Sequence, residues 1–319
     1  MTPSDICEAQ VSPEAMDRAR AVGEALAART GRERVQVRSA FVEAQSPTSP
    51  PPLTQLLRGG RGGEVKVKLL LSMLFAATAA PYNVNFPARS WAVLLGLPDP
   101  ETKGAARVNS AIRKLDELGY VRVEKRPGQP SRVFLREETG SKNEYTHPGD
   151  VWVAVKDADS RTRRKTPRYM QLPVELWTSG WIAALSGPAL AMLLILMNSA
   201  RGKEPSGLWF SQSVIETRYG LAEATRRKGF DELEAYGLVA VQRARIVRDE
   251  LSTGRYRNTY SVNVERFPSK PEEAWSGIVV KAGERRKRVF TMPQSPEEVR
   301  AFMDRLGMTP VRPQKQKPE

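Results

Sequence analysis

The chain has 319 residues, and its 50 Lys and Arg residues against 36 Asp and Glu residues give a formal net charge of +14. A positive surplus of this size favours an anionic partner, and nucleic acid is the commonest such partner of a basic intracellular protein. With one cysteine, Cys7, and one histidine, His147, the chain cannot form an intrachain disulfide, a Cys/His zinc module or a metal site built from several histidines.

The N-terminal residues contain one predicted helix and a linker. Ser12 has the position of an N-cap and Pro13 that of the first helical turn, so we expect a helix to begin here. The runs "SPTSPPP" at 46–52 and "GGRGG" at 59–63 then interrupt any regular pattern. We therefore predict an N-terminal helix followed by a Pro/Gly-rich linker over residues 1–63.

Residues 64–140 are predicted to form a first unit of three helices and a hairpin. The apolar positions of 66–80 are too dense for a surface helix, which predicts a buried first helix, and a short second helix follows before Gly96. Asp99 has the position of a cap for the third helix, which Gly119 ends as a C′ residue. Two alternating stretches, "YVRVEK" and "RVFLRE", then predict a β-hairpin.

The same order returns in residues 170–266, our predicted second unit. When Gly237 is set over Gly119, the sequences 106–128 and 224–246 align without a gap. The alignment places apolar residues on the same inward face of both third helices: Val108, Ile112, Leu115 and Leu118 in the first, Phe230, Leu233 and Tyr236 in the second. Three helices followed by a basic hairpin form the plan of a winged helix. We therefore predict a mainly α fold with small β wings (α+β) and two winged-helix (helix-turn-helix) domains in tandem.

Two segments lie outside the predicted units. Residues 141–169 indicate a basic linker with a possible strand, "VWVAV". Residues 267–319 indicate a basic C-terminal extension that carries "KAGERRKR" and a short capped helix, "SPEEVRAFMDRLG".

The repeated element predicts where DNA would bind. In a winged helix the third helix enters the major groove, and the hairpin reaches phosphates or the minor groove beside it. Arg and Asn can each bridge two atoms of a purine edge, whereas basic hairpin residues suit phosphates. Arg226 aligns with Val108, so we expect it to be partly buried with its head group reaching solvent. In the first unit the candidate DNA-binding residues are Lys103, Arg107, Asn109, Ser110, Arg113 and Lys114 on the third helix and Arg122, Lys125, Arg126 and Arg132 on the hairpin. In the second unit they are Thr225, Arg226, Arg227 and Lys228 on the third helix and Arg243, Arg245, Arg248, Arg255 and Arg257 on the hairpin.

Features typical of other functions carry less weight. The large aromatic residues flank apolar helices, so we expect them in the core rather than as stacking platforms for bases: Trp91, Trp177, Trp181, Trp209 and Phe210. His147 lies in "NEYTHPGD", which is typical of an exposed turn. Asp157 and Asp159 resemble a carboxylate pair for Mg²⁺, but they lie in a polar, basic stretch. The chain has no G-x-x-x-x-G-K-[ST] loop for a nucleotide phosphate. We expect no enzymatic activity, metal, cofactor or small-molecule substrate, and a metal-dependent DNA-processing enzyme is the least favoured alternative.

The longest apolar runs, of about a dozen residues, are too short to cross a bilayer. The N-terminus lacks the basic start and apolar core of a secretion signal. We therefore expect a cytoplasmic protein without a membrane partner.

The arrangement resembles the tandem winged-helix replication initiators of plasmids and phages. The resemblance covers about Glu64 to Arg266, and "RYMQLPVELW" leading into "LSGPALAMLLILM" is similar to the entry into the helix-turn-helix domain of such proteins. It implies sequence-specific binding to the repeats of a replication origin, a possible homodimer and contacts with host replication proteins. The long basic tail and the Pro-rich N-terminus have no counterpart in that family. A winged-helix transcriptional regulator or partition-type repressor is the alternative.

Overall fold

A computed structural model of the chain describes residues 11–46, 49–58, 61–201, 206–246 and 255–274. Within these residues the fold is mixed α and β, mainly helical with small antiparallel sheets. Several predictions concern residues outside the described ranges: those for Cys7, Arg248, the basic run "KAGERRKR" and the C-terminal helix.

The helices range from single turns to five turns. They are α1 Pro13–Thr30, α2 Pro52–Leu57, α3 Arg61–Ala76, α4 Ala88–Leu94, α5 Ala105–Leu118, α6 Pro148–Ala154, α7 Ser160–Lys165, α8 Glu175–Thr178, α9 Trp181–Ala184, α10 Gly187–Ser199, α11 Gln212–Tyr219, α12 Glu223–Ala235 and α13 Pro271–Ala274. Among the described residues, no helix has both the length and the apolar character needed to cross a membrane.

The strands of the described residues form three small antiparallel sheets. They are β1 Arg34–Arg38, β2 Asn83–Val84, β3 Val121–Glu124, β4 Arg132–Leu135, β5 Tyr169–Pro173, β6 Val239–Ile246 and β7 Arg255–Val262. The strand orders are β1-β5, β2-β4-β3 and β6-β7. The pairing of β1 with β5 joins the N-terminal segment to the beginning of the second predicted unit.

The N-terminal segment packs into the body of the protein. As predicted, α1 begins after Ser12, whose hydroxyl accepts a hydrogen bond from the Ala15 N–H at 3.3 Å. The stretch interpreted as a linker contains α2, whose Leu53 and Leu56 are fully buried. The backbone of α1 comes so close to α8 that a Cβ on Gly23 would lie 2.4 Å from the carbonyl oxygen of Trp177.

One supersecondary pattern occurs twice. Helix α3, strand β2, helices α4 and α5 and the β3-β4 hairpin are matched by α10, a bridge at Leu208, helices α11 and α12 and the β6-β7 hairpin. Val84 of β2 pairs with Val133, and Leu208 pairs with Tyr260, its counterpart in the second hairpin. In each repeat the next helix begins four residues later, at Ala88 and at Gln212.

The glycine stops of the third helices are confirmed. Gly119 and Gly237 have φ values of 82° and 66°, in the left-handed region that glycine adopts without strain. The start of α5 differs from the prediction: Asp99 makes no side-chain cap, and a π-helical turn, Pro100–Gly104, precedes the helix. Lys103 therefore lies in this turn and not on α5.

Residues of both repeats and of the N-terminal segment belong to one cluster of buried apolar side chains. Trp177 and Trp181 lie in it, and both indole N–H groups are satisfied, by Ser72 Oγ at 3.0 Å and by the Phe267 carbonyl at 2.9 Å. The core placement expected for these two residues and for Trp91 is confirmed.

Two predictions for the segment between the repeats are wrong. The first four residues of "VWVAV" lie in helix α6, which Pro148 opens, and Val155 is the C-cap of that helix; the run is not a strand. An apolar run of five residues does not by itself distinguish a strand from a helix, and a proline in the first turn favours a helix. His147 is not in an exposed turn, because its side chain is only 17% exposed and its Nε2 lies 3.0 Å from Gln36 Oε1 on β1.

Candidate nucleic-acid interface

Helix α5, the third helix of the first repeat, has one buried and one exposed face. Val108 and Leu115 are fully buried and Ala111 is nearly so, as their spacing predicts. The opposite face carries donor groups that can contact base edges. Its members are Asn109, Ser110, Arg113 and Lys114, which are exposed, and Arg107, which is half-buried.

Two lysines of this region have acidic neighbours. Lys114 Nζ lies 2.9 Å from Glu117 Oε2, and this hydrogen bond lowers the pKa of Glu117 below its ordinary value. Lys103 Nζ lies 3.3 Å from Asp99 Oδ2. Exposed pairs of this kind are weak. Both lysines can therefore exchange their carboxylate for a phosphate.

Helix α12, the third helix of the second repeat, is divided in the same way. Phe230 and Leu233 are buried, whereas Arg227 and Lys228 are exposed and Thr225 is half-buried. Arg227 Nε lies 3.9 Å from Asp231 Oδ2, at the outer limit of an ion pair.

Arg226 lies between the two faces of α12, as its alignment with Val108 predicts. Its side chain is 21% exposed, and its guanidinium lies 3.8 Å from Glu223 Oε1. Its Nε is buried, with no hydrogen-bond partner among the described residues.

The first hairpin presents its basic residues at its surface. Arg122 is exposed, and its guanidinium lies 4.0 Å from the ring centroid of Phe134 on the neighbouring strand. Lys125 is also exposed, whereas Arg126 and Arg132 are half-buried. Between Val121↔Leu135 and Glu124↔Arg132 the ladder has four residue pairs.

The second hairpin is twice as long. Its ladder has eight pairs, and because Val239 corresponds to Val121, the four pairs from Arg243↔Asn258 to Ile246↔Arg255 extend beyond the length of the first hairpin. At about 3.4 Å per residue this extension adds roughly 14 Å. Arg243 lies 4.6 Å from the ring centroid of Tyr256. Arg245 and Arg255 belong to the strands, but the structure does not describe their side chains.

Partly buried polar contacts join the repeats near the start of α10. Lys68 Nζ on α3 lies 2.7 Å from Glu64 Oε1, and Glu64 Oε2 accepts the Gly187 N–H at 3.0 Å. Glu232 on α12 accepts the Ser186 N–H at 2.7 Å and also the Ser186 hydroxyl. Helix α12 is thereby tied to the N-terminus of α10, and α10 is tied to the first helix of the other repeat.

The two carboxylates of this network have opposite pKa shifts. Burial opposes the ionisation of Glu64, but Lys68 and the Gly187 N–H together hold its pKa below the ordinary value. Burial raises the pKa of Glu232 above the ordinary value, against the effect of its hydrogen bonds from Ser186. Glu64 is thus the anion that stabilises the buried Lys68 ammonium.

Comparison of the chain with protein-family models, with curated proteins and with solved structures found no match.

The sequence prediction misplaced one aromatic residue of the second repeat. Trp209 was expected in the core, but it is 52% exposed, and Arg257 lies 4.5 Å from its ring centroid. Phe210 beside it is half-buried against the core. Strand alternation gives the signal that identifies Trp209: because Leu208 pairs with the inward-facing Tyr260, the next residue points to the opposite face.

The two carboxylates of the catalytic alternative, Asp157 and Asp159, immediately precede helix α7. Asp159 is the N-cap of α7, because its carboxylate accepts the Arg161 and Thr162 N–H groups at 2.7 and 3.0 Å. Hydrogen bonds from Thr162 and Arg161 lower its pKa. No group of three or more His, Cys, Asp or Glu residues with metal-binding geometry occurs among the residues that the structure describes.

His147 lines an open polar cleft of about 450 Å³ together with Tyr82 and Asp150. Its Nε2 donates to Gln36 Oε1, since an amide oxygen only accepts. Its Nδ1 lies 3.6 Å from Asp150 Oδ1. Burial and the nearby positive charge of Arg32 lower the pKa of His147. With Nε2 occupied in this way, the pair does not have the arrangement that activates a nucleophile.

Proposed function

We propose that the chain is a sequence-specific double-stranded DNA-binding protein made of two winged-helix modules. We further propose that it initiates the replication of a plasmid or another mobile element by binding the repeats of its origin.

One observation carries the proposal. Two repeats of the same helix and strand order each bury one face of their third helix and expose Arg, Lys or Asn on the other. A major groove accepts an α-helix, and these are the side chains that distinguish base pairs at its floor. The antiparallel hairpin that follows each helix, together with the short strand that pairs with it, supports the winged-helix assignment.

The distribution of charge supports a nucleic-acid partner. Positive residues recur on the third helix and the hairpin of both repeats, and the net charge of +14 would accelerate encounter with a polyanion. The hairpins would neutralise phosphates and set the register, and the two helices would read half-sites about one helical turn apart.

The tandem arrangement favours an initiator over a transcriptional regulator. A regulator on this fold usually couples one winged helix to a ligand-binding or dimerisation domain, whereas the second repeat here has the same elements as the first. Initiation would follow from distortion of the origin and recruitment of the host helicase. A repressor on the same scaffold remains the alternative that the binding sites would reveal.

The decisive experiment is selection of bound fragments from genomic DNA, followed by footprinting. Direct repeats beside an origin are the expected result. A single palindrome over a promoter would assign the chain to the repressor class, and fragments without any common sequence would overturn base reading.

Base reading by the third helices can be tested with matched variants. Arg113→Ala on α5 and Arg227→Ala on α12 should each weaken binding to the selected site about 5- to 150-fold, the range for one bidentate base contact. Both should affect random duplex much less. Arg18→Ala on α1, which also removes an exposed arginine, should change neither affinity.

A further inference from the structure

Trp209 is placed unlike the other large aromatic residues of the chain. It is the most exposed tryptophan among the described residues, at 52%. The Arg257 guanidinium covers its ring at 4.5 Å from the centroid, which positions a cation beside an accessible π surface. The indole ring is therefore backed by a cation and still accessible to a ligand.

The first repeat has no equivalent of this pair. Because Val84 and Leu208 occupy matching positions against their hairpins, Asn85 corresponds to Trp209, and Asn85 is exposed. Arg257 belongs to the extension by which the second hairpin exceeds the first. The frame of the repeat therefore does not require this aromatic residue, since the first repeat folds with an amide there.

Trp209 and Arg257 lie on the side of the hairpin that points away from α12. Tyr260 stacks on Phe230 of α12 with ring centroids 3.9 Å apart, so its side of β7 faces that helix. Arg257 is an odd number of residues away and therefore points to the opposite side. This surface is thus separate from the one that presents α12 to a duplex.

We propose that Trp209 and Arg257 form a binding site for an unpaired base of single-stranded DNA. Aromatic side chains stack with any base. A neighbouring guanidinium can pair with the phosphate that joins the stacked nucleotide to the next nucleotide. Complementarity of charge favours this occupant: the residues of the extension, 243–246 and 255–258, include four arginines and no Asp or Glu. A protein that melts DNA needs such a site for the separated strand, and this site is additional to the duplex-binding surface. The inference rests on the proposed DNA partner and not on base reading by the third helices.

Tyr256 gives a second stacking surface on the same extension of the second hairpin, which we call the arm. It is 58% exposed and lies beside Arg243, on the side of the hairpin that faces α12. The arm thus has an arginine-backed aromatic ring on each side. A strand that passes over the arm could contact both rings in succession.

The test is binding of the full chain to a labelled dT20 oligonucleotide at low salt, followed by fluorescence anisotropy. Trp209→Asn, which installs the residue of the first repeat, should weaken binding about 5- to 150-fold, the effect of losing one base stack. Trp209→Phe should keep most of the affinity, whereas Trp209→Leu should not, because leucine preserves apolar area without a π face. Val264→Ala, which trims another exposed apolar residue, is the matched control and should bind as the wild type does.

Two results would overturn the inference: no binding of dT20 by the wild type, or equal affinities of the Trp209→Leu and Trp209→Phe variants. The second result would leave the exposed ring to a protein partner. Each variant should keep the wild-type affinity for duplex DNA. A wild-type protein that binds dT20 but not duplex DNA would refute the proposed function and would support this site.

Discussion

Gly229 is the point at which α12 crosses α10. A Cβ there would lie 2.4 Å from the Pro188 carbonyl oxygen and 2.7 Å from Met192 Cγ. The first of these contacts is about 1 Å shorter than ordinary van der Waals contact, and its partner is backbone. The variant Gly229→Ala must therefore move one helix away from the other.

The expected effect combines two opposing contributions. Overpacking of a tight contact costs about 1–3 kcal/mol, whereas replacing glycine by alanine inside a helix gains up to about 1 kcal/mol. Because the contact is with a backbone atom, the first contribution is near its upper end, so we expect a net destabilisation of about 2–3 kcal/mol. In a protein of this size that lowers the Tm by roughly 4–12 °C.

Gly62→Ala is the matched control. Gly62 is also helical, but a Cβ there would meet nothing within 4 Å, so the same exchange should raise the free energy of unfolding by up to about 1 kcal/mol. Thermal and urea unfolding followed by circular dichroism would compare the two variants. A Gly229→Ala protein as stable as Gly62→Ala would refute the close packing of α12 on α10.

Three further outcomes follow from buried or basic groups. Because the pKa of Glu64 is lower in the folded chain, its ionised form stabilises the fold above the ordinary value of 4.5, and this contribution is lost as the pH falls below it. Glu64→Gln should thus flatten the fall in Tm between about pH 5 and 3. Arg38→Met should destabilise by about 3–5 kcal/mol in urea unfolding, because Glu138 is 0% exposed and loses its partner at 2.9 Å, and adding Glu138→Gln should recover part of the loss. Neutralising 285–288 should reduce the salt dependence of DNA binding by up to about one log-log unit per lost phosphate contact, and an unchanged slope would remove the tail from the interface.

Local chemistry explains why the repeat could be predicted from the sequence. The two glycine stops, the inward apolar positions of α5 and α12 and the alternating strands depend on neighbours only a few residues away. Gly119 and Gly237, which are 118 positions apart, each end a third helix, and both have the positive φ that this position requires. Each element was therefore recognisable within a window of about fifteen residues.

The features that were missed depend on distant partners. Pairing of Arg34 with Pro173 closes a loop of more than a hundred residues, and nothing in either segment specifies the other. The exposure of Trp209 follows from the bridge of Leu208 to a residue 52 positions later. The half-buried state of His147 follows from its contact with Gln36 on β1. For these residues composition predicts the type of environment but not the partner that creates it.

Arg226 shows how the second repeat departs from the first. Its counterpart Val108 is fully buried, whereas Arg226 holds its Nε in a buried position with no hydrogen-bond partner among the described residues. Such a placement costs stability, since a guanidinium is desolvated where a valine would add apolar contact. We therefore expect Arg226 to contribute to DNA binding and not to stability, because it lies at the N-terminal end of α12, where a base edge or phosphate would lie.

This argument predicts opposite signs for two measurements on one variant. Arg226→Val, which installs the residue of the first repeat, should raise the free energy of unfolding and lower the affinity for duplex DNA. The reverse exchange at the matching position, Val108→Arg, should destabilise the chain by forcing a charge into a fully buried position. A loss of both stability and affinity in Arg226→Val would mean that Arg226 serves the fold, and the two repeats would then differ in their packing and not in their share of DNA recognition.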